Sequence, residues 1–251
     1  MSIRRRGLWF AYGALFVFYT VLLFSPPPIG EMVKGEVISS AQLWPVAGRF
    51  MVALNVYFPV AVGILCADRM QRDYRLGLRE LQESTPLRSA QYVLAKYFGV
   101  LASVLLPVFV WVMVIVGVMI GIGHAPSAIL MAQPVAFAVI TIPAFAFVVA
   151  FSLACPLVMP TSIFQILFTG YWFWANFIPP KLFPTLNGTL LTPSGVFALQ
   201  GFFHGRASLT NKEPLIYSAH DATLNLAVLG GSVVVLLVLV ERLLARRARL
   251  A

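Results

Sequence analysis

The chain has 251 residues, of which 60% are apolar and 11% charged, with a mean hydropathy of +0.87. Soluble domains carry about a quarter charged residues, which excludes a soluble globular fold. The net charge of +9 is compatible on its own with nucleic acid, but its placement follows the cytoplasmic bias of loops between membrane spans.

Taken in order, Arg4, Arg5 and Arg6 precede an apolar run at 8–25. It reads as an uncleaved first span with its N-terminus in the cytoplasm, because Ser25-Pro26-Pro27-Pro28 offers no small-residue cleavage site and stops the helix. Residues 29–49 read as an outer loop with Glu31, Lys34, Glu36 and Arg49, its middle (37–44) a short helix on the outer surface. The second span is 50–67, bent at Pro59, which removes a backbone hydrogen bond.

Residues 68–96 follow on the cytoplasmic side. They hold six of the 18 basic residues (Arg69, Arg72, Arg75, Arg79, Arg88, Lys96) and four of the nine acidic ones (Asp68, Asp73, Glu80, Glu83). Tyr74, Leu78 and Leu81 share one helix face. Ser84 or Thr85 can cap a second helix with Pro86 in its first turn. The next 84 residues, 97–180, contain no Asp, Glu, Lys or Arg. At about 20 residues per span, this stretch holds three helices, 97–121, 129–155 and 162–178. Glycine and proline turns at 121–126 and 155–161 separate them, and Pro179-Pro180 ends the last.

Residues 181–222 are less apolar. Within them, 192–203 starts with a cap-and-proline signal and is too short to cross the bilayer, so it reads as a re-entrant or interfacial half-helix on the outer side. The sixth span is 223–240, and a basic tail follows with Arg242, Arg246, Arg247 and Arg249. With both termini inside, 13 basic residues fall on the cytoplasmic side and five outside (Lys34, Arg49, Lys181, Arg206, Lys212), as the positive-inside rule requires. The expected fold is therefore one all-α membrane domain, 1–251, with six transmembrane helices and both termini cytoplasmic. Cys66 and Cys155 read as reduced packing residues.

The sequence lacks a phosphate-cradling G-x-x-x-x-G-K-[ST], an H-E-x-x-H and a G-x-S-x-G. No ionisable group falls inside the expected spans, which argues against a proton- or ion-driven pump. No metal ligation, catalytic centre or nucleic-acid partner is expected. Asn55, Tyr57, Gln165 and Asn176 are candidates for a substrate path, since amides in a span need a partner or a wet cavity. Tyr171 and Trp174 belong to an aromatic cluster that reads either as an interfacial belt or as a surface facing the substrate near the exit. Gly117 and Gly121 read as a close-packing G-x-x-x-G pair or as ordinary glycines of a membrane helix.

The charged segment resembles that of the ABC-2 type permease family, the membrane subunits of many bacterial ABC exporters. The resemblance rests on Asp73 and Arg75, Gly77, Leu78 to Leu81, Ser84-Thr85-Pro86 with Arg88, and Lys96. It implies a type V exporter-like architecture, with a cytoplasmic coupling helix between helices 2 and 3 and an outer re-entrant segment before helix 6. It further implies that Asp73, Arg75, Leu78, Arg79, Glu80, Glu83, Ser84, Thr85, Pro86 and Arg88 contact a separate ATPase subunit. That partner carries ATP and Mg, so this chain binds no cofactor and is not itself an enzyme. A second permease, identical or homologous, completes the path for a hydrophobic or amphipathic substrate in a bacterial or archaeal cytoplasmic membrane. Polysaccharide-exporting members have a long amphipathic helix before span one, and the seven residues here argue against such a substrate. The alternative is a membrane scaffold that transmits ATPase motion to an extracytoplasmic partner without transport.

Overall fold

The computed structural model describes residues 3–24, 42–69, 89–121, 125–206 and 216–250. All its regular elements are helical. They are α1 (Ile3–Phe24), α2 (Leu43–Leu54), α3 (Phe58–Cys66), α4 (Ser89–Gly121), α5 (Ile129–Leu157), α6 (Thr161–Phe177), α7 (Val196–Gly201) and α8 (Ala219–Leu250). Three of these are long and apolar enough to cross a membrane: α4, α5 and the 219–246 part of α8. The pair α2 and α3, bent by 41°, makes a fourth if counted as one span.

The bend between α2 and α3 falls at Asn55-Val56-Tyr57, as Pro59 foretells. Proline has no N–H, so the carbonyl four residues earlier, that of Asn55, has no helical donor, and the helix breaks one turn ahead of the proline. The second span starts earlier than the charge pattern suggests. Leu43, Ala47, Met51 and Leu54 are buried at helical spacing, which draws residues 43–49 into α2. Arg49, expected in an outer loop, therefore lies within a helix. Of the surface helix expected at 37–44, Leu43 and Trp44 belong to α2 and 37–41 lie outside the described residues.

The other boundaries follow propensity. Helix α4 starts at Ser89, eight residues before the expected span, because Ser-Ala-Gln-Tyr-Val-Leu-Ala-Lys contains no breaker. Helix α8 runs on through Glu241, Arg242 and Arg246, good helix formers that were expected as a tail. Helix α5 contains a π-helical turn, Phe137–Thr141, where Ile142 N–H reaches the Phe137 carbonyl. Pro143 accounts for it: it cannot close the bond to Val139, and the helix widens by one residue. Within the stretch expected as a half-helix, a short helix, α7, follows the turn at Pro193-Ser194-Gly195.

The chain divides into two compact units, 1–58 with 106–142 and 194–223, and 59–105 with 143–193 and 224–251. The first is built around stacked rings. Phe16 lies on Trp111 with centroids 5.2 Å apart, and Tyr19 on Phe58 at 5.1 Å. Against the opposite side of α2, Thr141 Oγ1 donates to Met51 Sδ at 3.4 Å. Helix α7 is held by the Gln200 carbonyl oxygen Oε1, which accepts from Ile216 and Tyr217 N–H at 2.9 and 3.1 Å. Phe197 stacks on Tyr217 at 3.9 Å.

The second unit has its own aromatic core, in which Phe164 stacks on Phe168 at 5.4 Å and Phe147 on Phe151 at 5.9 Å. The first turns of α8 are tied to the loop between α6 and α7 by Asn225 Nδ2, which donates to the Leu190 and Thr192 carbonyls at 2.8 and 3.1 Å. Cys66 and Cys155, both in this unit, are free. Around Gly117 and Gly121 a Cβ would meet nothing within 4 Å, so no close helix contact among the described residues uses them.

Candidate functional site

Polar chemistry concentrates at two places: the break between α2 and α3, and the helices that flank the charged segment.

At the break, the last turn of α2 has carbonyls with no helical partner. Tyr19, from α1, adds a donor there, beside the Val56 N–H that reaches the Ala53 carbonyl at 3.2 Å. The Tyr19 hydroxyl donates to the Ala53 carbonyl at 2.8 Å, with the Leu54 carbonyl at 3.2 Å, and accepts from Tyr57 N–H at 3.3 Å. Asn55 follows at the break itself, fully buried. Its Nδ2 donates to the carbonyls of Ile140 and Ser194, both at 3.3 Å. One side chain thus joins three irregular backbone points: the break, the π turn of α5 and the entry to α7.

Gly195 makes this approach close. It has φ +89, the left-handed region that favours glycine, and a Cβ there would run into Ile140 and stand 3.4 Å from Asn55 Nδ2. Asn55 Oδ1 and Ser194 Oγ are both buried without a hydrogen-bond partner and keep their hydrogen-bonding capacity. Tyr57 differs from Asn55. Its ring is exposed and packs edge-on to Phe18, with centroids 5.6 Å apart.

The remaining candidates for the substrate path lie on α6, in the second unit. Gln165 Nε2 donates to the Ile64 carbonyl at 3.0 Å. Trp174 Nε1 donates to the Pro184 carbonyl at 3.2 Å, and Asn176 Nδ2 to the Trp172 carbonyl one turn back at 2.8 Å. Tyr171 stacks on Phe151 at 5.7 Å and touches Trp174 ring to ring at 6.2 Å. Each of these amide and indole bonds ends on a backbone carbonyl, and Asn176 Oδ1 stays buried without a partner. Trp172, in the same aromatic cluster, is fully buried, so that cluster is in part core.

The ATPase-contact candidates Asp73, Arg75, Leu78, Arg79, Glu80, Glu83, Ser84, Thr85, Pro86 and Arg88 lie outside the described residues. The helices on either side of them are described. Upstream, Ile64 belongs to the last turn of α3, where carbonyls lack helical donors, and Gln165 satisfies it. One residue earlier, Gly63 leaves a notch against which the Phe168 ring packs, and a Cβ there would overlap that ring. Downstream, Ser89 opens α4, and its Oγ donates to Glu241 Oε1 on α8 at 2.9 Å. The helices that flank these residues are therefore tied to others, α3 to α6 and α4 to α8.

Sequence reasoning finds Asn55 and Gln165 by their polarity in apolar runs. It misses Tyr19, whose hydroxyl is hidden in an aromatic-rich run, and the Ile140 carbonyl, exposed to Asn55 by backbone geometry alone. Among the described residues no group of three His, Cys, Asp or Glu side chains could hold a metal ion. Comparison with known proteins finds no family model, no curated protein and no solved structure that matches the chain. What the fold defines is a class: an all-helical membrane protein.

Proposed function

We propose that the chain is the permease subunit of an ATP-driven transporter of the ABC-2 type. In this reading it has six spans, with α1 (22 residues) and α6 (17 residues) added to the four of membrane length. Helix α6 is about 26 Å long, slightly less than the hydrocarbon thickness. The charged segment docks on a separate ATPase subunit, which binds ATP and Mg. A second permease pairs with this chain, and a hydrophobic or amphipathic substrate crosses between them.

The observation that carries the reading is that both helices flanking the charged segment are tied to others. A connector that only sets topology needs no anchors. A lever does, because a push on a loose loop is lost in the loop. Here a displacement of 70–88 is passed to α6 through Ile64 and Gly63, and to α8 through Ser89. Rigid-body switching of membrane domains requires such connections.

The test is purification from native membranes through a tag on the C-terminal end, followed by an ATPase assay. A stoichiometric nucleotide-binding subunit is expected to co-purify. Charge reversal at Arg79 or Glu83 should release that subunit, or leave its ATPase activity uncoupled from transport, while thermal unfolding of the permease is unchanged. Wild-type association and coupling in both variants would overturn the assignment.

A further inference from the structure

Arg49 is out of place for a residue of an apolar span. It sits two turns into α2, about 9 Å from the helix start. Its side chain is half-buried, and its Nε is buried with no hydrogen-bond partner. A guanidinium cannot shed its charge in a protein, and a charge within a span marks a site whose counter-ion must be named. The described part of its unit contains one carboxylate, that of Asp221. This group is already engaged, accepting from Ser218 N–H at 2.8 Å and Ser218 Oγ at 2.7 Å.

The surroundings of Arg49 on its helix narrow the choice of anion. Pro45, Val52 and Ala53 lie three or four residues away and share its face. All three are half-buried. The opposite face, with Leu43, Ala47, Met51 and Leu54, is packed away. Arg49 is thus the cationic end of a partly open apolar stripe. A small hydrophilic anion matches the charge but not the stripe, whereas an amphipath with an anionic head matches both. At this depth the long arginine stem can also lift its head to the level of lipid phosphates.

We infer that Arg49 and the stripe below it form a binding site for an anionic phospholipid, with the guanidinium on the headgroup phosphate and the acyl chain along Val52 and Ala53. The site requires only the bent span and is independent of any ATPase partner. The pairing is charge-assisted and the guanidinium can bind two phosphate oxygens at once.

The experiment uses the full chain in nanodiscs of phosphatidylcholine, with and without phosphatidylglycerol, read by native mass spectrometry and thermal unfolding. The wild type is expected to retain phosphatidylglycerol under activation that strips phosphatidylcholine. Arg49→Gln should lose about tenfold in that retention, and Arg49→Lys should lose less. Equal retention by Arg49→Gln and wild type would overturn the site. So would an equal thermal shift from millimolar inorganic phosphate in phosphatidylcholine alone, which would make it a site for free anions. If Arg49→Gln does not fold, the wild type still decides. Photoactivatable phosphatidylglycerol should label the peptide around residues 43–56, and labelling confined to other helices would refute the proposal.

Discussion

Asn55 shows how one amide can hold a discontinuity inside an apolar chain. A broken helix releases backbone groups that lipid cannot satisfy. Here Tyr19 caps the carbonyl end of α2, and Asn55 spends both its N–H groups on carbonyls of α5 and of the turn before α7. Asn55→Ala would remove both bonds at a fully buried site, and a loss of about 1–3 kcal/mol in stability is expected. Asn55→Asp should cost more, since it adds a buried charge and removes the donors. Thermal unfolding in a single detergent would rank wild type, alanine and aspartate, and an aspartate variant as stable as wild type would refute this account of the junction. Tyr19→Phe tests the neighbouring cap more gently, at about 1 kcal/mol.

Among the elements, α3 and α6 give the sharpest prediction. Gly63→Ala places a methyl group where the Phe168 ring already lies, and overpacking of this kind costs about 1–3 kcal/mol. Phe168→Leu in the same chain should recover part of that loss, and a double-mutant cycle measures the coupling directly. Additive effects would mean that the two residues do not meet. Helix α8 offers a second test at its start. Ser218 Oγ accepts from Asp221 N–H at 3.2 Å while the Asp221 carboxylate accepts from Ser218, a reciprocal cap. Ser218→Ala should cost about 1 kcal/mol and speed hydrogen exchange in the first turn of α8, with little effect elsewhere.

For the molecule as a whole, the proposed six-span reading puts both termini on one side of the membrane. In a chain with Cys66 and Cys155 replaced by alanine, a cysteine at Lys181 should react with an impermeant thiol reagent from outside intact cells. A cysteine at Arg246 should react only after permeabilisation, and the reverse pattern would refute the orientation. Most of the helical layout was legible because apolar run length and proline position act locally: the run without charges at 97–180 contains its three helices, and Pro59 does mark a bend. Arg49 was misplaced because a single charge was weighed above the buried spacing of Leu43, Ala47, Met51 and Leu54. The Tyr19 cap and the Gln165 bond to Ile64 could not be read at all. They depend on backbone carbonyls, which every residue carries alike, meeting side chains from distant parts of the sequence.

The notch at Gly63 has a mechanical consequence. A flat ring seated against a bare stretch of helix acts as a key in a slot. Turning α3 about its own axis would drive a neighbouring side chain into the Phe168 ring, whereas leaning α3 and α6 over together leaves the seat intact. In the proposed ATPase-driven reading, motion arriving at the end of α3 would be filtered, with twist blocked and tilt passed on.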